Sequence, residues 1–399
     1  MELSLYETSK LLKGSQTYKQ LGFSMLLTRL RNQYAQEETE ANLKKCADEI
    51  NTFLNKFVKI MVSDLDNIVK LIKTEGSHQV LTFDETCQLI ESGKILHIAG
   101  AGELLKKLPQ GNWIGGSTEY FMSVDGGLVT NKLFFVTEFQ FEDFKIKTYN
   151  TQNIKNIAND AFENGFTVLI IPFDSNVHIT YAENVTNYEN IFMRTIVGWI
   201  SGVNLNSIAE KPVSINGFLN EVYTDNAVAI HIKVNESQTV DLKIANIFEQ
   251  KEDSPIIEFE SSGFDIDKCL IDGKECNLAD YIADNNLDIR LPLVGDYSGN
   301  GINISFKSIE NSHVYFYAPV FKGIKYRIAK AVPDYATAFQ AVMEKQSANH
   351  VVFSCNCILN FLYGNLLGKK IEGFTGPITF GEIAYQLVNQ TLAYVTVRE

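Results

Sequence analysis

The sequence predicts an α/β (α+β) chain with two similar α/β halves and a β-rich middle, preceded by an N-terminal helical hairpin. Three observations predict it. A long apolar stripe at helical spacing opens the chain, short helices, strands and glycine turns alternate at both ends of the remaining 320 or so residues, and β-branched runs of strand length fill the interval between.

The stripe comes first. Leu43, Ala47, Ile50, Leu54, Phe57, Met61, Leu65, Ile68 and Ile72 alternate steps of three and four with mostly polar residues between, which is one face of a helix. From Glu38 to Lys73 such a helix spans roughly 50 Å at about 1.5 Å per residue. The segment Tyr18 to Tyr34 is also helix-like, and the polar link Ala35 to Glu37 turns the chain back to give a hairpin. A stripe of this length is buried equally well by the rest of the chain or by a second protomer or partner docking on residues 18–73.

After Gly76 the pattern changes. Asp84 to Ser92 reads as a helix, Ile95 to Ala99 as an apolar strand, Gly100 and Gly102 as a turn, and Glu103 to Leu108 as a second helix. GNWIGGSTEYF (Gly111 to Phe121), the Asp125-Gly126-Gly127 turn and the strand Lys132 to Glu138 come next. Thr167 to Pro172 is a continuous apolar run of the kind buried strands show, and Asn187 to Ile200 reads as a helix.

Strands then dominate between Val213 and Phe306: Ala227 to Val234, Leu242 to Phe248, Ile256 to Phe259 and Ile302 to Ser305. The last block alternates again. Its elements are the strand VYFYAP, a helix from Tyr335 to Lys345, the strand HVVFS, a helix from Ile358 to Leu366, a glycine-rich turn and a final strand from Thr391 to Val397.

The first and last blocks echo one another. Each runs helix, apolar strand (ILHIA; HVVFS), small-residue turn, short helix, Gly-containing strand start (WIGGST; IEGFTG) and closing strand (KLFFVTE; TLAYVTV). Spacing agrees as well, with sixteen residues from Gly115 to Asn131 and seventeen from Gly373 to Gln390. Clefts form where strands end at helix N-termini, so the turns after ILHIA and after HVVFS are the expected ligand positions.

Bulk properties narrow the function. With 399 residues and a formal net charge of −13, the chain offers no basic field for phosphate backbones, so nucleic acid is not an expected partner. MELSLYETSK carries no apolar leader core and no stretch reaches a membrane-spanning run, so a cytoplasmic protein is expected. Its six cysteines are scattered rather than framed for disulfides, as in a reducing compartment.

Cys355 sits where the buried strand HVVFS gives way to a helix, a place where the helix dipole lowers thiol pKa and raises reactivity; a small buried hydrophobe is the bland alternative. A catalytic thiol needs a base. His350, five residues earlier in the same strand, is roughly 16 Å away at about 3.3 Å per residue, which leaves His97 on the corresponding strand of the first half. Cys355 and Cys357 form a C-x-C pair with no histidine cluster beside it, and no metal or cofactor is expected. Trp113 offers a flat apolar face to a cleft or to a core, while Gly115 and Gly116 offer exposed N–H groups or simply turn geometry. No Ser/His/Asp order, nucleophile elbow or zincin motif is present, so a non-enzyme is the expected class.

Phe353-Ser354-Cys355, followed about 25 residues later by Phe380-Gly381-Glu382-Ile383 and then by Asn389-Gln390-Thr391-Leu392, resembles the C-terminal part of FIST domains, two-part sensory modules. Leu242 to Phe248 is similar to an upstream strand of the same domain, and GNWIGGSTEYF resembles a segment of an uncharacterised bacterial group. The resemblance covers Leu81 to Glu399. It leaves the helical arm over 1–76, read from the apolar stripe, unexplained, and implies a FIST N-terminal-like α/β domain over 77–212 and a FIST C-terminal-like domain over 213–399 with a β-rich middle and an α/β end. Members of that family usually carry Gly-Arg after the cysteine; here Asn356-Cys357-Ile358 stands in that place, without an arginine to hold a carboxylate.

The function so implied is sensory: a small metabolite bound by Cys355, Asn356, Gly381, Glu382, Trp113, Gly115 and Gly116, with the state relayed to a partner through the N-terminal helices. The alternative is a cysteine-dependent hydrolase or transferase using Cys355 with His97.

Overall fold

The computed structural model describes residues 78–399 except 142, 208–209, 298–299, 345–349, 372 and 399, together with 41–42, 44–45 and 48–50. Those last few are helical; the rest of the expected hairpin over residues 18–73 lies outside the described residues. Residues Ser77–Glu399 form one compact unit, which is a strand-rich α/β body.

Its plan emerges from the order in which strands are laid down. The first segment gives β1 (His78–Leu81), a helix (Phe83–Glu91), β2 (Ile95–Gly100), a helical turn (Gly102–Leu105), β3 (Trp113–Ser117), the hairpin β4–β5 (Tyr120–Ser123, Gly126–Val129) and β6 (Phe134–Phe139). Next come β7 (Phe144–Tyr149), a short helix (Ile157–Asp160), β8 (Gly165–Pro172), a helix (Asn176–Asn184), β9 (Thr195–Ser201), the hairpin β10–β11 (Ser214–Asn216, Glu221–Tyr223) and β12 (Ala227–Lys233). The third segment opens with β13 (Thr239–Ala245), is interrupted by an insertion, and resumes with a helix (Tyr335–Glu344) and β23 (Val351–Cys357). It closes with a helix (Ile358–Tyr363), β24 (Gly376–Thr379), the hairpin β25–β26 (Glu382–Ala384, Gln386–Val388) and β27 (Leu392–Arg398).

The insertion carries β14 (Ile257–Glu258), β15 (Gly263–Ile266), β16 (Lys268–Ile271), β17 (Lys274–Asn277), a helix (Leu278–Asp284), β18 (Leu293–Tyr297), β19 (Asn300–Ile304), β20 (Phe306–Glu310), β21 (His313–Val320) and β22 (Lys325–Ile328). These strands form one sheet in the order β17–β16–β14–β22–β18–β19 and a second, β15–β21–β20.

Three six-stranded sheets repeat a single strand order. They read β1–β6–β2–β3–β10–β11, β7–β12–β8–β9–β25–β26 and β13–β27–β23–β24–β4–β5. In each, the middle pair is parallel (β2 with β3, β8 with β9, β23 with β24) and its flanking neighbours are antiparallel. Each segment also lends its hairpin to another segment's sheet. β10 pairs with β3, β25 with β9 and β4 with β24, closing a cycle. The sequence echo between first and last blocks therefore has a third copy between them, residues 144–233. Because β12 pairs with β7 and β8, and β24 with β4, the sheets run across the expected border at 212–213.

One ambiguous segment hides that middle copy in the sequence. Asn187 to Ile200 is not a helix: it starts at the end of one 3-10 turn (Val185–Asn187), a second (Ile191–Met193) leads into β9, and the helix of this copy lies upstream at Asn176–Asn184, capped by Ser175. Thr195-Ile196-Val197 and Trp199-Ile200 favour a strand by their branched and aromatic side chains, and β9 is buried along nearly its whole length beside β8. Gly198 permits the approach. A Cβ there would meet the Leu169 carbonyl oxygen at 1.9 Å.

The central core fills the space where the three sheets meet. Ala99 and Ile114, Val168 and Trp199, and Phe353 and Val395 contribute one pair from each sheet. A second core joins the middle copy to the insertion through residues such as Tyr181, Ile257, Phe316 and Tyr326.

Candidate functional site

The expected nucleophile is an interior residue of β23. Cys355 is 1 % exposed, and its Sγ donates to the Gly198 carbonyl at 3.3 Å. Burial pushes its thiol well above the ordinary value, reinforced by Glu382 and Cys357 nearby. The strand-to-helix transition falls two residues later: Cys357 is the N-cap of the Ile358–Tyr363 helix, so the dipole argument does not apply to Cys355. His97 is fully buried in β2, where its Nε2 accepts from Trp199 Nε1 at 2.9 Å and its ring meets Phe353 edge-on. Since these bonds run to Trp199 and Gly198, the expected Cys355–His97 pair is not formed.

Glu382 opens β25 at the same junction. Its carboxylate is 0 % exposed, with Oε2 accepting from Thr391 Oγ1 at 2.8 Å and from the Thr391 N–H at 3.3 Å, and Oε1 accepting from Thr379 Oγ1 at 3.1 Å. Burial raises its pKa to about 8, against the pull of those hydrogen bonds and one from Cys357. Cys357 is itself raised well above its ordinary value, by burial first and then by Glu382, although the N–H groups of Gln390 and Leu359 favour its thiolate. Glu382 and Cys357 thus share a site in which both groups keep their protons at neutral pH.

Polar side chains surround the pair. Asn360 Nδ2 donates to Asn356 Oδ1 at 2.7 Å, Tyr335 OH donates to Asn360 Oδ1 at 2.5 Å, and Gln390 Nε2 donates to Tyr335 OH at 3.2 Å. Asn356 Nδ2 has no protein partner, and beside the residue is a void of about 10 Å³ bordered by Ser354, Cys355 and Phe374, space for at most one water. Gly381, at φ 148°, carries the chain from β24 into β25 and accepts from the Ile200 N–H at 2.8 Å.

Cys355, Asn356, Gly381 and Glu382 are therefore brought together, and the other three expected residues stand apart. Trp113 is 1 % exposed in the core of the first copy, its Nε1 donating to the Pro109 carbonyl at 2.9 Å. Gly115 and Gly116 lie inside β3. A Cβ on Gly116 would come within 2.7 Å of the Trp199 ring, so close packing rather than anion binding accounts for that glycine.

Open space lies elsewhere. At the turn after β2, a cavity of about 180 Å³ is bordered by Ala101, Ser117, Thr118, Glu119 and Lys211. A larger one, about 720 Å³, opens between the insertion and the third hairpin, against Phe192, Ile244, Ile302, Lys322, Ile324 and Tyr385. Its size suits a small organic ligand. Tyr385 turns the chain between β25 and β26 at φ 61°, a left-handed conformation costly for a bulky side chain. The other two hairpins place Gly126 (φ 122°) and Asn220 (φ 57°) at their positive-φ positions. Tyr385 is held there by its N–H to Ile196 O at 2.9 Å and by Tyr181 OH on its carbonyl at 2.7 Å, with its ring 6.0 Å from that of Phe192. Sequence reading missed this residue because a tyrosine between two short apolar runs carries no turn signature; only its φ reveals it.

Among the described residues no cluster of three or more His, Cys, Asp or Glu side chains is placed to hold a metal ion, and no helix is long and apolar enough to cross a membrane. Fold and site together define a strand-rich α/β protein of three interlocked copies with a pocketed insertion. The chain belongs to a family of unknown function, DUF6976, which matches residues 81–398. A comparison with curated proteins finds no match.

Proposed function

We propose that the protein is a FIST-like sensory module that binds a small metabolite, and that the ligand occupies the cavity of about 720 Å³ beside Tyr385 rather than the packed interior at Cys355. The observation that carries this reading is the strained tyrosine on the cavity wall. The other two exchanged hairpins, which have longer loops, carry their positive φ on glycine or asparagine, whereas tyrosine in the left-handed region costs roughly 1–2 kcal/mol. An aromatic ring aimed at a ligand is a reason to retain it.

Ile244, Ile302 and Ile324 supply an apolar wall and Lys322 one cation, which fits a compact, largely apolar metabolite with an acceptor or anionic group. The hairpin also offers a path inward. Tyr385 is three residues from Glu382, so a ligand that shifts the turn pulls on the buried Glu382–Cys357 pair. In the same proposal, which includes a cytoplasmic setting, residues 18–73 pass the bound state to a partner or a second protomer.

Cysteine-dependent hydrolysis or transfer at Cys355 has weaker support, because that thiol is packed against Gly198 and its expected base bonds to Trp199. Thermal-shift screening of the full chain against a metabolite library tests the sensory reading. Stabilisation that is lost on filling the cavity with Ile302→Trp supports it; no stabilisation by any compound, with the protein folded, overturns it.

A further inference from the structure

The insertion contains a second pair of thiols that the proposed pocket does not use. Cys269 of β16 and Cys276 of β17 are directly opposite one another across an antiparallel hairpin, with their sulfurs 3.7 Å apart. Directly opposed residues in such a ladder have Cα atoms about 4.5–5.5 Å apart, inside the range of about 4.4–6.8 Å over which disulfides form without moving backbone. The turn between them is short and stiff: Asp272 and Gly273 both have positive φ, 45° and 78°, as two-residue hairpin turns require. From 3.7 Å the sulfurs have to close to an S–S bond of about 2.05 Å.

Their environments are unequal. Cys269 is 1 % exposed and belongs to the core shared with the middle copy, whereas Cys276 packs against the edge of that core and is only partly buried. Lys268 and Glu275 pair at 2.9 Å across the same hairpin and hold its register. An accessible thiol opposite a shielded one is the arrangement of an attacking and a resolving cysteine.

We infer that Cys269 and Cys276 are a redox-active dithiol, a modification site that closes to a cross-strand disulfide when it meets an organic disulfide such as oxidised glutathione. The Cys276 thiolate attacks one sulfur of the reagent, forms a mixed disulfide and expels one thiolate. Cys269 then gives up its proton, its sulfur attacks Cys276 Sγ, and the second thiolate leaves. Two protein S–H groups and one organic disulfide become one protein disulfide and two free thiols. The edge strand β17 is thereby tied covalently to β16 in the sheet whose far edge, β18 and β19, borders the large cavity.

The full chain, equilibrated in mixtures of reduced and oxidised glutathione, alkylated with iodoacetamide under denaturing conditions and digested with trypsin, tests this by mass spectrometry. Cleavage after Lys268, Lys274 and Arg290 puts the two sulfurs on separate fragments, Cys269–Lys274 and Glu275–Arg290. The expected product is those fragments joined and two hydrogen atoms lighter than their sum, while Cys355 and Cys357 are recovered alkylated. In Cys269→Ser, oxidation should stop at a glutathione adduct on Cys276; if that core variant does not fold, Cys276→Ser should leave Cys269 fully alkylated under the same conditions. A glutathione adduct without cross-linking in the unsubstituted protein, or both thiols still free in oxidised glutathione alone, overturns the inference.

Discussion

Trp199 of β9 stands directly opposite Glu382 of β25, and the same indole donates through Nε1 to His97 of β2 at 2.9 Å. One side chain thus joins all three copies of the sheet pattern, since β25 belongs to the third, β9 to the second and β2 to the first. It also stands between two buried groups with opposite responses to pH.

Those responses predict a stability profile. Glu382 keeps its proton in the fold up to about pH 8 and loses it near pH 4.5 when unfolded, so the native state holds the extra proton between those values. Its stabilising contribution is complete below pH 4.5 and disappears as pH rises through 8, on the order of 3–5 kcal/mol across the window. His97 works the other way: burial lowers it from 6.5 to about 3, and the unfolded chain takes the proton between those values, so stability falls as pH drops below 6.5. His231, also lowered to about 3, adds to that acid-side loss. Glu382→Gln should flatten the decline between pH 6.5 and 8 and steepen the loss between pH 6.5 and 4.5, where the native Glu382 proton offsets part of the histidine effect. Melting temperatures measured from pH 4 to 9 check this; an unchanged alkaline limb would remove Glu382 from the account.

The Tyr385 turn separates stability from binding. Tyr385→Gly relieves the left-handed strain but gives up the ring contact with Phe192, two effects each on the order of 1 kcal/mol, so unliganded stability should change by less than about 1 kcal/mol. Any ligand-induced rise in melting temperature should disappear. A variant that keeps the full ligand response would move the binding site away from this hairpin.

Native alkylation should sort the thiols by burial. Cys87 and Cys276 are partly open, while Cys355 and Cys357 are 1 % exposed and raised in pKa by burial and by Glu382. Brief iodoacetamide treatment at pH 7.5 is expected to label Cys87 and Cys276 and to spare the C-x-C pair until the protein is unfolded. Rapid labelling of Cys355 would restore the case for a catalytic thiol.

How much of this was legible depended on whether the signal was local. Thr82 and Glu85 form a complete capping box, and the Phe83–Glu91 helix was readable within a residue. The apolar runs of β2, β8 and β23 were readable as strands for the same reason. Thr195 to Ser201 was not, because a short apolar run next to a helix-like polar stretch has no decisive period, and that one element hid the middle copy. Hairpin exchange leaves no mark on sequence at all: Glu382 opposes Trp199 across 183 positions through a register that only the assembled sheet fixes. The motif around Cys355 falls at the junction of β23, β24 and β25, but the strand continues two residues further than its composition indicates, which moves the helix cap to Cys357.

Exchanged hairpins make a claim about folding as well. Removing any one copy would strip a neighbouring sheet of its two outer strands and expose β3, β9 or β24 as an unpaired edge, so no copy has a complete sheet on its own. Residues 77–399 should consequently unfold in one transition despite their length. The chain has only two tryptophans, Trp113 in the core of the first copy and Trp199 where the three sheets meet, both buried. Their fluorescence and the far-UV signal of the strands should lose native character at the same denaturant concentration. Gly198→Ala, which drives a methyl group into the Leu169 carbonyl, should lower that shared midpoint by the equivalent of about 3 kcal/mol or more without splitting it. A tryptophan transition that precedes the loss of strand signal would show that the copies fold as separate units and that the exchange of hairpins does not couple them.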